Sequence, residues 1–211
     1  MKKNSYDPLQ REYAGLASRY DNRWYSYVQA SISETLQRLD LPAEGRVLDV
    51  GCGTGALLVE LMDKAPALGY AGIDLSTEML KVAQRKLGQG VTLKQAPAEE
   101  LPYADGEFDV VVSTSVFHFI QQPLQALREM RRVLAPAGRV VITDWCDDYL
   151  SCRVCDRFLR MFSRAHNKIY NTVEFRRLLT EAGFQDIFID RYKINWLWGM
   201  MTAQARKMET Q

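Results

Sequence analysis

The sequence predicts an α/β fold in which buried parallel strands alternate with helices. Three observations point there. A short branched apolar run, Arg46-Val-Leu-Asp-Val50, leads into Gly51, Gly53 and Gly55 and then into a helix-spaced segment. A second apolar run over 70–75 places Asp74 about twenty residues beyond that loop. Apolar runs and helical stripes then go on alternating as far as Gly183.

Taken in order, Tyr13, Leu16, Ala17, Tyr20 and Trp24 form a helical stripe over 13–24. The first strand, 46–50, feeds glycines that let the backbone turn and approach a ligand without any Cβ. Leu57, Leu58, Leu61, Met62 and Ala65 then share one helix face, with the helix N-terminus aimed at the ligand. Ser76 is an N-cap, Met79, Leu80, Ala83 and Leu87 form a buried face, and Gly88 ends that helix. A third strand is expected at 91–95, a turn at Asp105-Gly106 and a fourth strand at 108–113. Pro123 opens a helix through Leu134, and a fifth strand follows at 138–144. In the segment 147–170, Val154, Phe158, Met161, Phe162 and Ala165 alternate with Arg153, Arg157, Arg160 and Arg164, which separates an apolar from a basic face. Asn171 and Glu174 form a capping box before the stripe of Phe175, Leu178, Leu179 and Ala182. Two strands near 184–192 and 196–206 follow with no helix between them, so they must be antiparallel neighbours.

The glycine loop by itself leaves two cofactors open, because Gly51, Gly53 and Ala56 also satisfy the dinucleotide fingerprint. Asp49 separates them. It sets a carboxylate just before the loop, where a pyrophosphate needs freedom from negative charge. An acid there suits an ammonium and a sulfonium, and Asp74 can accept both ribose hydroxyls through its two oxygens. S-adenosylmethionine, which has no phosphate, meets that description.

At these residues the chain resembles the class I S-adenosylmethionine-dependent methyltransferases, particularly the small single-domain group that includes quinone and small-molecule methyltransferases. The resemblance covers about 40–145 and rests on five blocks in order: 47–55, 72–76, Ala98-Glu-Glu-Leu-Pro102, Phe108-Asp-Val-Val-Val-Ser113 and Leu134-Ala-Pro-Ala-Gly138-Arg-Val-Val-Ile142. It implies a Rossmann-like, seven-stranded, mostly parallel sheet with a terminal antiparallel strand and helices on both faces. It also implies S-adenosylmethionine as methyl donor and S-adenosylhomocysteine as product. Asp49, Gly51, Cys52, Gly53 and Gly55 would surround the cofactor, Asp74 would hold the ribose, and Leu75 and Met79 would flank the adenine. Ala98 and Glu99 would run beside the adenine amine, and Ser115 would stand at the carboxyl end of the fourth strand. Many relatives carry Asp before the Ala-Glu pair; Pro97 stands here, so adenine recognition passes to Glu99, a backbone carbonyl or water.

Composition agrees with one compact enzyme domain: 211 residues at 47% hydrophobic content can bury a sizeable core. Cap helices are expected over 1–44, the cofactor-binding core over 45–145, a helical insertion over 146–170 and a closing helix with antiparallel strands over 171–211. A net charge of +1 gives no sign of nucleic-acid affinity. Residues 1–6 lack the apolar core of a secretion signal and no run is long enough to span a bilayer, so a cytoplasmic location is expected. The four cysteines, at 52, 146, 152 and 155, lack structural-zinc spacing; no metal is expected, and Cys52 should pack as a small hydrophobe.

Methyl transfer from a sulfonium is an in-line displacement that needs alignment and exclusion of water, with a general base only where the acceptor must lose a proton. His118 is the candidate base or acceptor-positioning residue, and its alternative is packing between Phe117 and Phe119. His166 reads as structural or exposed, in a basic helix away from the strand ends. Tyr20 is the candidate lid residue. Trp145, Trp196 and Trp198 are candidates for an apolar acceptor pocket. The basic amphipathic stretch over 150–166 is either a pocket wall or a site of peripheral membrane contact. The main expectation is a methyltransferase for a small organic acceptor. The alternatives are a phospholipid or soft-element methyltransferase, the latter dependent on Cys146, Cys152 and Cys155, and a non-catalytic module that binds S-adenosylmethionine.

Overall fold

A computed structural model describes residues 7–17, 19–162 and 166–208. Arg164 and Ala165 of the anticipated faces, and residues 1–6 and 18, lie outside the described residues, as does the side chain of Phe162.

Three helices precede the sheet: α1 (Asp7–Leu16), α2 (Tyr20–Arg23) and α3 (Tyr25–Arg38). The continuous stripe expected over 13–24 is therefore interrupted, and Trp24 is exposed. The backbone leaves the helical region at Trp24, with φ −111° and ψ 17°. The short α2 that results carries Asp21 to the glycine loop, where it accepts a hydrogen bond from Thr54 Oγ1 at 2.6 Å.

The strands are β1 (Arg46–Val50), β2 (Gly69–Asp74), β3 (Val91–Gln95), β4 (Phe108–Thr114), β5 (Leu134–Trp145), β6 (Gln185–Lys193) and β7 (Gly199–Arg206). They form one seven-stranded sheet in the order β3-β2-β1-β4-β5-β7-β6. β1 to β5 run parallel, while β7 is antiparallel to both β5 and β6. The last strand in the sequence thus lies inside the sheet, which is why 200, 201, 203 and 205 are all buried. The helix expected through Leu134 stops at Val133, because Leu134 already pairs with Phe108 in the sheet.

Helices α4 (Ala56–Lys64), α5 (Thr77–Leu87), α6 (Pro123–Val133), α7 (Leu150–Phe162) and α8 (Thr172–Glu181) complete the chain, with a 3-10 turn at Phe117–Phe119. Two apolar layers sandwich the sheet. One joins Leu48, Val111 and Ile142 to Leu127, Met130, Phe175 and Leu179 of α6 and α8. The other joins Val47, Val110 and Val141 to Ile32, Leu58 and Ala83 of α3, α4 and α5. The expected caps form: Ser76 Oγ accepts from Met79 N at 3.3 Å, and Asn171 Oδ1 accepts from Glu174 N at 2.8 Å. A buried hydroxyl chain crosses the second half of the sheet, from Thr35 to Thr143 at 2.9 Å, on to Thr202 at 2.8 Å and to Tyr192 at 2.7 Å. It seats α3 on β5, where an apolar pair of the same size would specify no register.

Candidate active site

Strand order reverses between β1 and β4, so a crevice opens beyond the carboxyl ends of these strands. The glycine loop lies there. Backbone N–H groups of Gly51 and Cys52 both donate to the Ile73 carbonyl at 2.8 Å, tying the loop to β2. Gly51 has φ +78°, and a Cβ there would stand 2.5 Å from both methyls of Val116; Gly53, at φ +51°, faces open space. Cys52 is buried against Gly72, where a Cβ would meet its sulfur at 2.8 Å, so it packs as a small hydrophobe.

Two carboxylates dominate the pocket electrostatically. Asp49, only 2% exposed, has its carboxyl pushed up to about 8, by burial first and by nearby Asp74 second. Asp74 is also raised by burial, although backbone N–H groups of Gly53 (2.9 Å) and Ser76 (2.8 Å) donate to its two oxygens and hold it down. Each oxygen keeps a lone pair for a further donor. No Lys, Arg or His lines this pocket among the described residues. The charge missing from the site is therefore positive, and a pyrophosphate has nothing to neutralise it.

Leu75, Met79, Ala98 and Glu99 line the same pocket beside Asp74. Glu99 Oε1 accepts from Gln122 N at 3.1 Å, so the side chain is held in place, whereas Glu100 is exposed and outside the pocket. Tyr20 lines the pocket too; its phenol is pushed up to about 12 by burial, then by Asp74 and Asp21. Around it α1 and α2 form a roof. Gln10 Nε2 donates to the Leu75 carbonyl at 3.1 Å, and the ring of Tyr13 meets those of Tyr20 (5.8 Å) and Phe119 (5.6 Å). Lys86 pairs with Asp21 from the far side.

At the β4 end, Ser115 adopts φ +59°, and its hydroxyl lies 2.7 Å from Tyr27 Oη. Trp145 Nε1 donates to the same Tyr27 oxygen at 2.6 Å, and Trp198 packs on Trp145 at 4.4 Å. Tyr27 has no distinguishing signal in the sequence, since it follows the helix break that the stripe over 13–24 hides. Gln10 likewise reaches the site only through the fold.

His118 is buried and stands outside the pocket lining, behind Phe119. Its Nδ1 lies 2.7 Å from Asp144 Oδ1, its backbone N–H donates to Asp144 Oδ2 at 3.0 Å, and its ring stacks on Trp145 at 4.7 Å. Three expectations need correction. His166 is neither exposed nor remote: it is buried, bonded to Asp156 at 2.8 Å, and 5.5 Å from the His118 ring, because the chain after α7 folds back to the strand ends. None of Trp145, Trp196 and Trp198 lines the pocket: Trp145 and Trp198 pack on Tyr27 outside the lining, and Trp196 is 84% exposed in the β6–β7 turn, where Asn195 caps the backbone of 197 and 198. His166 is not helical and lies outside α7 as described over Leu150–Phe162, and no described residue of α7 lines the pocket, since Cys152 and Asp156 form the inner side of that helix. None of Cys146, Cys152 and Cys155 lines the pocket, and burial pushes the Cys146 thiol up to about 12.

Residues 48–142 match the family model described as a methyltransferase domain. Across 86% of its length the chain is 28% identical to the ubiquinone/menaquinone biosynthesis C-methyltransferase UbiE of Geobacter sp. strain M21, covering 84% of that protein. It is 34% identical to the demethylmenaquinone methyltransferase of Deinococcus radiodurans over 68% of this chain and 63% of that one. A 42% identity to the malonyl-[acyl-carrier protein] O-methyltransferase of Geobacter sulfurreducens covers 58% of this chain and 47% of that protein. The fold matches the Haemonchus contortus phosphoethanolamine N-methyltransferase 2, solved with phosphomonomethylethanolamine and S-adenosylhomocysteine, with a TM-score of 0.79 at 18% identity, over 98% of this chain and 61% of that one.

Proposed function

The chain belongs to the class I S-adenosylmethionine-dependent methyltransferases, and from that premise we propose that it methylates a small apolar organic acceptor held beside Tyr27, Ser115 and Phe119. The observation that supports this reading is the pairing of Asp49 and Asp74 with a pocket lining that holds no basic side chain among the described residues. When bound, S-adenosylmethionine supplies an electrophilic methyl on a sulfonium and leaves as S-adenosylhomocysteine.

In this reading Asp49 takes the cofactor's ammonium group and Asp74 its ribose hydroxyls, while Leu75, Met79 and Ala98 enclose the adenine and Glu99 faces its amine. Gly51, Gly53 and Gly55 let the loop approach the ligand, Cys52 fills the space beneath it, and Tyr20 with Tyr13 excludes water from above. Tyr27 and Ser115 orient the acceptor. A tryptophan N–H can only donate, so the Tyr27 oxygen accepts from Trp145, and the Tyr27 hydrogen is then directed at Ser115 Oγ. The Ser115 hydrogen is left for the pocket, where it meets a carbonyl or phenolic oxygen of the acceptor. Burial holds the Tyr27 phenol well above its usual range, so it is no base. His118 acts as a positioning residue that fixes Trp145.

The quinone methyltransferases among the relatives carry acceptors of this chemistry in their names. A phosphate-bearing acceptor fits less well, since the lining offers no Lys or Arg among the described residues to hold it. The test is incubation of a metabolite extract with the protein and methyl-labelled cofactor. A labelled apolar, oxygen-bearing product is expected. Cofactor binding with no transfer to any component would instead make the chain a non-catalytic binding module. Tyr27→Phe should lower kcat by roughly tenfold, about the loss of one hydrogen bond in the transition state, with S-adenosylhomocysteine affinity unchanged.

A further inference from the structure

Helix α7 presents its apolar residues to water. Its inner side carries Cys152 and Asp156, while Leu150, Val154, Phe158 and Met161 recur at helical spacing on the outside and stand between 61% and 73% exposed. Arg153, Arg157 and Arg160 form a second exposed row beside them. The β6–β7 turn adds the exposed ring of Trp196, and that turn is tied to α7 because Cys152 Sγ donates to the Gly199 carbonyl at 3.2 Å. Large apolar side chains gathered on one outer face mark a surface that something else covers.

The inner side of the helix is linked to the acceptor end of the pocket through Asp156, His166 and Phe119. α7 begins shortly after Trp145, and beyond its far end His166 packs on His118 and Phe119. The helix is thus fixed at both ends to residues that surround the site. Its charge points to the partner: the helix carries three arginines against one aspartate and stays net positive, although Arg160 pairs with Asp156 at 3.6 Å and Arg153 with Asp147 at 3.4 Å across the surface. Rows of aliphatic and aromatic side chains flanked by arginine, on a protruding helix with a tryptophan beside it, match the division of a bilayer surface into acyl chains and anionic headgroups.

We propose that α7 and Trp196 form a docking surface for an anionic lipid bilayer, from which an apolar acceptor passes to the pocket. The second clause rests on the apolar-acceptor reading above; the docking itself does not.

The experiment is co-sedimentation of the full chain with vesicles of phosphatidylcholine alone or mixed with phosphatidylglycerol. Binding to the anionic vesicles is expected, weakened at least about tenfold by raising salt from about 0.05 to about 0.5 M. Phe158→Ser with Met161→Ser should abolish it, and Arg157→Gln with Arg160→Gln should erase the preference for phosphatidylglycerol. A thermal shift with S-adenosylhomocysteine, read on every variant, reports the fold and the cofactor site separately. No vesicle binding by a protein that keeps that shift overturns docking and leaves the methyltransferase reading standing. Binding that the variants leave unchanged overturns it as well. So do a solution dimer dispersed by Phe158→Ser with Met161→Ser, which assigns the face to a second copy, and capture of a purified acidic carrier protein without vesicle binding.

Discussion

At the scale of single residues, the buried Asp49 carboxyl governs how the site responds to pH. Its folded value of about 8 lies above the ordinary 3.8, so the unliganded protein loses stability to this group as pH rises between those values; below both, the cost is absent. A cationic ligand reverses the balance by favouring the carboxylate. Binding of S-adenosylhomocysteine at pH 7 should therefore release roughly one proton, and affinity should rise from about pH 6 to 7.5. Calorimetry in two buffers of different ionisation enthalpy measures the release, and Asp49→Asn should remove it; no release from the wild type contradicts the role. The glycines divide in a similar way. Gly51→Ala drives a Cβ into Val116 at positive φ and should destabilise the fold by roughly 2–4 kcal/mol. Gly53→Ala meets nothing in the protein, so it should cost only about 1 kcal/mol while raising the Kd for cofactor about tenfold or more. Paired denaturation and binding curves would show whether the two positions separate. Asp49 and the loop were legible because their chemistry is local to a few consecutive residues. Tyr27 was not, because its hydroxyl gains meaning only from Ser115 and Trp145, which are 88 and 118 residues away.

At the scale of elements, periodicity placed the central strands and helices because each buries a face against the sheet. Ends were legible where side chains cap them. Asn171→Ala removes one half of a capping box and should lower stability by about 1 kcal/mol, read as a fall in the urea midpoint without a change in slope. The same pattern failed where burial does not follow period. The helix over 13–24 is broken so that Asp21 can reach Thr54, a demand of the loop that no local residue announces. α7 shows the converse failure: its stripe is real, yet the stripe faces outward, since amphipathicity gives the separation of faces and not which of them meets the core.

At the scale of the whole molecule, the pocket draws on α1, α2, α3 and the ends of β1, β2 and β4, so its ligand couples to the stability of the entire fold. At one hundred times its Kd, S-adenosylhomocysteine should stabilise by about 2.7 kcal/mol and raise Tm by roughly 5–10 °C. NAD at the same concentration should not, because its pyrophosphate would face Asp49 and Asp74. An equal shift with both would contradict the cofactor's assignment to these carboxylates.

The sequence by itself determined the α/β alternation, the glycine loop with its two flanking acids, and hence the charge and class of the cofactor. All of these depend on residues close together in the chain, where sterics and charge act without help from distant segments. Tertiary structure decided the rest: that β7 enters between β5 and β6, that His166 returns to His118, that Tyr27 meets Ser115, and that α7 turns its apolar row outward. Each depends on which surfaces meet across the sheet, and side chains of one type serve equally well on either side of a helix until packing chooses.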